Sequence, residues 1–168
     1  LSQEDKDAAM SKIKGTTNIS DFNDSDLVVE VAAEDLEIKK QTFAELDKIC
    51  PAGAILATNT SVLSVTEIAA ATGRPDKIVG LHFFNPPPAM KLVEIIRTKT
   101  ASEDTIETSR KFAESVDKTP VIVSDTSGFI VNRLAVPFML NAMHMLDSGV
   151  ASPEDIDTAV TLGLNHPM

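Results

Sequence analysis

The sequence predicts an α/β fold, a largely parallel sheet with covering helices, followed by the start of an all-helical domain. Short apolar runs rich in β-branched residues at 27–31, 54–58, 78–84, 92–96 and 120–124 are mostly separated by polar segments with helical spacing. That order builds parallel strands joined by crossover helices. Glycine, proline and Asn/Asp clusters punctuate the runs, as turns require. Beyond Gly128 the pattern changes to a long segment that is apolar nearly all round, and such a helix needs neighbours on several sides.

Taken in order, residues 1–14 favour a helix with Ala9, Met10 and Ile13 as a thin apolar stripe, capped by Ser2 and Asp5 and ended by Gly15. The β-branched bias of residues 16–20 suggests a short edge strand, and residues 22–26 supply turn chemistry. Residues 27–31 suit a strand covered on both faces. Leu36, Phe43, Leu46 and Ile49 then mark an amphipathic helix within 34–50, stopped by Pro51-Ala52-Gly53. A second strand, 54–58, carries Asn59-Thr60-Ser61 at its carboxyl end, where open α/β sheets bind ligands. Ser64, with Glu67 three positions on, opens a short helix to Ala71, and Gly73-Arg74-Pro75-Asp76 makes a turn. Residues 102–117 form another helix and 120–124 another strand, with a domain boundary near Ser124-Asp125 dividing 1–124 from 125–168. The long helix after Gly128 contains Pro137, which can kink it, and ends at Gly149; Ser152-Pro153 opens the next.

A hydrophobic content of 43% with 24% charge describes an ordinary globular chain. The formal net charge of −10 argues against nucleic acid or an anionic membrane surface as a general partner. With one cysteine, Cys50, the chain makes no internal disulfide or thiolate cluster, which fits a reducing, cytoplasmic setting. No apolar run is long enough to span a bilayer. His82, His144 and His166 are scattered without ligand spacing, so no metal site is expected.

Residues 80–94, GLHFFNPPPAMKLVE, concentrate the chemistry. Three consecutive prolines force a turn between the strands at 78–84 and 92–96, so His82 and Glu94 return to the same region. A carboxylate bonded to one imidazole nitrogen selects the tautomer and supports a proton on the ring, as an acid-base pair needs. The alternative is a structural histidine beside an ordinary strand acid.

This stretch resembles the 3-hydroxyacyl-CoA dehydrogenase family, and so do Val29-Glu30 through Lys39, Ala57-Thr58-Asn59-Thr60-Ser61, and residues 125–133, DTSGFIVNR. The resemblance runs through the whole chain in the family's order. It implies a Rossmann-like domain followed by a helical one, and hydride transfer between a 3-hydroxyacyl-CoA and NAD or NADP. It makes His82 the general base or acid, Glu94 its orienting partner, and Ser61 and Asn132 the residues bonded to the substrate oxygen. Glu34, Lys39, Ser61 and Asn85 match positions near the cofactor. Without the resemblance, Ser61 is a strand-end turn residue, Asn132 a helix cap, Glu34 a first-turn helix acid, Lys39 a solvated charge and Asn85 a turn former. The resemblance extends to the family's members of butyrate metabolism, which implies 3-hydroxybutanoyl-CoA and acetoacetyl-CoA as the substrate pair. The resemblance also implies a homodimer or higher homo-oligomer. No G-x-G-x-x-G occurs in the chain, and we expect a piece of a longer protein. Rival expectations are a dehydrogenase of a free, gulonate-type hydroxy acid, a module of a multifunctional β-oxidation enzyme, and a non-catalytic piece that never holds the dinucleotide.

Overall fold

The structure is a computed structural model that describes residues 2–166. Leu1, Pro167 and Met168, at the limits of the ranges expected above, lie outside the described residues. The first helix, α1 (Gln3–Met10), is capped by Ser2, whose hydroxyl accepts from the Asp5 N–H while the Asp5 carboxylate accepts from Ser2. It stops at Met10, five positions before Gly15; it buries no residue, and a further turn without a packed face is not held. The edge strand expected at 16–20 does not form. Asn18 instead accepts from the Ser20 N–H and Thr16 donates to Asp21, which shapes a 3-10 turn at Ile19–Phe22. Local side-chain bonds of this kind compete with a ladder.

Five strands, β1 (Leu27–Glu30), β2 (Ile55–Thr58), β3 (Ile78–Phe83), β4 (Leu92–Arg97) and β5 (Thr119–Ser124), lie side by side in chain order. β1, β2 and β3 are mutually parallel, β4 runs antiparallel to β3, and β5 is parallel to β4. The reversal at β4 follows from its connection: residues 84–91 are too few for a crossover helix, which needs about a dozen residues or more. β1, first in the order, has a neighbour on one side and is less enclosed than expected, with Leu27 and Val29 only half-buried.

Alternation along the strands divides the core into two layers. On one face Leu56, Ile78 and Ile96 pack with Phe43 and Leu46 of α2 (Leu36–Ile49) and with Val65 and Ile68 of α3 (Val65–Ala69). On the other, Ile55, Ala57, Val79, Leu81, Val93 and Ile95 pack with Ile106 and Ala113 of α4 (Glu103–Ser115). Phe129, just before α5 (Val131–Asp147), inserts into the first layer and ties that helix to the sheet. α5 contains Pro137 and is followed by α6 (Pro153–Leu164), capped by Ser152. Among the described residues none of α5 is buried, and Leu134 is 69% exposed.

Gly80 stands opposite Ile96 where β3 and β4 pair, and a Cβ there would lie 2.7 Å from the Ile96 Cβ. Gly80→Ala therefore forces the two strands apart. Overpacking of this kind costs about 1–3 kcal/mol, so urea unfolding of the variant should show a lower midpoint; an unchanged midpoint counts against this close approach.

Candidate active site

The site lies at the carboxyl ends of β1, β2 and β3. Because β4 runs back along β3, His82 and Glu94 occupy directly opposed positions in the ladder, and their side chains share a face. His82 Nδ1 and Glu94 Oε2 are 2.7 Å apart. The other oxygen of Glu94, Oε1, accepts from the N–H groups of Ile130 and Val131, each at 3.0 Å. Three donors thus converge on a carboxylate that is fully buried. With Nδ1–H donating to Glu94, Nε2 of His82 presents its lone pair, and Ser61 Oγ sits 3.1 Å from it. Phe84 and Phe129 flank the imidazole, with ring centroids 4.6 and 5.6 Å away.

Ser61 is held by a short loop after β2. Thr60, fully buried, donates through Oγ1 to Glu34 Oε1, which also accepts from the N–H groups of Ser61 at 2.9 Å and Val62 at 3.4 Å. Glu34 precedes Asp35, the residue that caps α2, so its carboxylate organises this loop and is not a first-turn helix acid. Burial pushes the Glu34 carboxyl up, but the bonds from Thr60 and Ser61, the charge of Lys39 and the Val62 N–H outweigh it and bring its pKa below the ordinary 4.5.

Lys39 is not a solvated charge; it is 1% exposed. Its Nζ bonds both oxygens of Glu30, at 2.8 and 3.0 Å, and the Ala32 carbonyl at 3.3 Å, with Glu34 Oε2 3.6 Å away. Glu30 also accepts from Thr58 Oγ1 at 2.7 Å and from the Ala32 N–H. Sequence reasoning gave Glu30 no role; the available signal was an acid closing an apolar strand run. Asn59, expected only as part of the strand-end stretch Asn59-Thr60-Ser61, has its own structural part: its Oδ1 accepts from the Phe83 N–H at 2.8 Å, fixing the residue next to His82. Asn132 lies half-buried in the first turn of α5, beside Val131. Asn85 is exposed, past the end of β3 and before the three prolines. The structure therefore brings Ser61, His82 and Glu94 together directly, and Glu34 and Lys39 through the loop and the buried pair. Among the described residues no group of three or more His, Cys, Asp or Glu could hold a metal ion, and no helix is long and apolar enough to cross a membrane.

Residues 1–126 match the family model described as 3-hydroxyacyl-CoA dehydrogenase, NAD binding domain, and residues 128–168 match the corresponding C-terminal domain. The chain belongs to the 3-hydroxyacyl-CoA dehydrogenase family. A 3-hydroxybutyryl-CoA dehydrogenase of Clostridioides difficile is 50% identical over 159 residues, which cover 95% of this chain and 57% of that protein. The human mitochondrial hydroxyacyl-coenzyme A dehydrogenase is 48% identical over 153 residues, covering 91% of this chain and 49% of its own length. The crystal structure of (S)-3-hydroxybutyryl-CoA dehydrogenase from Ralstonia eutropha superposes with a TM-score of 0.97 at 40% identity, covering 99% of this chain and 59% of that one. This member of the 3-hydroxyacyl-CoA dehydrogenase family thus spans between about half and three-fifths of the length of these relatives. Its five-stranded, mostly parallel sheet followed by helices is the Rossmann-like arrangement the sequence predicts.

Two expectations follow for the charged cluster. Lys39→Met leaves Glu30 buried without its cation, which costs about 3–5 kcal/mol; adding Glu30→Gln should restore much of that loss in chemical unfolding. Equal instability of the single and double variants would mean that Lys39 acts through packing alone. Glu34 has a depressed pKa in the folded state, so its contribution to stability is complete above 4.5 and is lost as pH falls through its lowered value. Carboxyl carbon NMR should place its midpoint below 4.5 in the folded protein, and Thr60→Val should move it up.

Proposed function

We propose that the protein interconverts (3S)-3-hydroxybutanoyl-CoA and acetoacetyl-CoA with NAD, using His82 as the acid-base group. The observation that carries this reading is the hydrogen-bonded line from Ser61 Oγ through His82 to the buried Glu94. In oxidation Nε2 of His82 takes the proton of the substrate hydroxyl, and in reduction it returns that proton to the oxygen. Glu94 holds Nδ1–H throughout, so the ring keeps its orientation while its charge changes. Ser61 and Asn132 bind the substrate oxygen, a hydroxyl and an amide N–H both being able to donate to it as charge develops. NAD, when bound, supplies the hydride acceptor.

The residues present fit such a cofactor. Glu34 uses Oε1 on the loop, yet its side chain remains 41% exposed and offers an acceptor edge. That edge suits a nucleotide bearing amide and hydroxyl donors, and Ser61 and Asn85 follow the carboxyl ends of the neighbouring parallel strands β2 and β3. Lys39 contributes through Glu34, because its own Nζ is enclosed. In this reading residues 1–124 form part of the cofactor domain and residues 125–168 begin a helical domain that binds substrate and joins subunits as a homodimer or higher homo-oligomer. The net charge of −10 opposes a nucleic-acid partner. A cytoplasmic setting agrees with the single cysteine, Cys50, whose thiol is pushed up mainly by burial.

The test is absorbance of reduced nicotinamide while the full-length protein is given acetoacetyl-CoA with NADH and, separately, NADPH. Wild type should oxidise NADH in preference. His82→Ala and Glu94→Gln should each lose about 10²-fold or more in kcat, with acyl-CoA affinity nearly unchanged. A wild type inactive with acetoacetyl-CoA but active on a free hydroxy acid would replace this substrate assignment, and full activity of Glu94→Gln would reduce Glu94 to a structural role.

A further inference from the structure

Asp125, in the connection between β5 and α5, takes no part in the chemistry proposed above, yet its carboxylate is fully committed. Oδ1 accepts from the Val65 N–H at 3.2 Å, and Oδ2 accepts from the Thr66 N–H at 2.7 Å and the Ser64 hydroxyl at 3.1 Å. Those donors begin α3, immediately after the loop that carries Ser61. Ser64 caps the Glu67 N–H but not the two before it, so Asp125 supplies, from 60 residues away, the acceptors that α3 lacks locally. Its own backbone is fixed to the sheet, since the Asp125 N–H donates to the Arg97 carbonyl.

We propose that Asp125 is a positioning residue that holds Ser61 against His82 Nε2; this rests on the reading of Ser61 and His82 given under Proposed function. The loop is pinned at one end by Thr60 and Glu34 and at the other by Asp125, with Val62 between them 45% exposed. Removing either pin frees the Ser61 hydroxyl to leave its 3.1 Å contact. The same connecting segment acts on the other side of the imidazole. Gly128 and Phe129 take φ values of 75 and 48°, which turn the chain sharply so that Phe129 meets the His82 ring and the next two N–H groups reach Glu94. Residues 125–131 are therefore a strap across the site, one end holding the serine and the other the acid that orients the histidine.

A role confined to the stability of α3 is separated from positioning by a double-mutant cycle in the full-length protein. Asp125→Ala should lower kcat for acetoacetyl-CoA reduction by about tenfold or more, and Asp125→Asn, which keeps one acceptor and the shape, by less. In a Ser61→Ala background the same changes should alter kcat by less than about twofold, because the group being positioned is gone. An equal loss in both backgrounds overturns the proposal. A second arm does not need turnover: at fixed pH the His82 Nε2 nitrogen NMR signal should move in Asp125→Asn toward its position in Ser61→Ala, and an unmoved signal overturns the proposal even if Asp125→Ala fails to fold. Absence of acetoacetyl-CoA reduction by wild type would remove the proposed substrate, leaving the nitrogen signal to decide the role of Asp125.

Discussion

One buried carboxylate constrains the rest of this structure. Glu94 is fully enclosed, and a charge taken out of water is tolerated only where donors replace the lost solvent. Its three donors come from different places: the ring of His82 on β3 and the N–H groups of Ile130 and Val131 at the start of α5. α5 has no side-chain cap from its own N-terminal flank, and Glu94 takes that place. The positive end of the helix dipole favours an anion there. The carboxylate that orients the histidine through one oxygen therefore fastens the helical segment to the sheet through the other.

Sheet topology makes this possible. Only an antiparallel β4 puts Glu94 directly across from His82, and the short proline-rich connection excludes the parallel alternative. The three parallel strands before it end together, which collects the Glu30 and Lys39 pair, the Glu34 loop and Ser61 along one edge. Residues 125–131 then link two parts of the site, bonded to the start of α3 through Asp125 and to Glu94 through the N–H groups of Ile130 and Val131.

Ion pairs on the surface stand in contrast. On α4 the guanidinium of Arg110 beside Glu107 brings that carboxyl down to about 2, and Arg110 also bonds Glu114, yet all three side chains remain open to water. Exposed pairs of this kind contribute little to stability. The buried Lys39 and Glu30 pair is different: neither charge can be solvated if the other is removed, so each fixes the other's position beneath the loop.

Sequence alone was enough for the elements whose signal is local. Apolar β-branched runs marked all five strands, Ser2, Ser64 and Ser152 marked helix starts, and the proline turn returned Glu94 toward His82. It failed where the deciding partner is distant. The β-branched bias of residues 16–20 carried no information that Asn18 and Asp21 would bond their backbone and hydroxyl neighbours instead of a strand. Lys39 looks like any charge on a polar helix until α2 packs it against Glu30. Thr58 reaches Glu30 across 28 residues and Asp125 reaches Ser64 across 61, separations at which residue spacing says nothing about distance. The five strands and most of the helices were legible in the residue pattern, because periodicity is a local property. Burial of Glu30 and Glu94, the pairing of Lys39 with Glu30 and the N–H groups that meet Glu94 follow only from the folded arrangement, because desolvation and hydrogen bonding are settled by what packing places within about 3 Å.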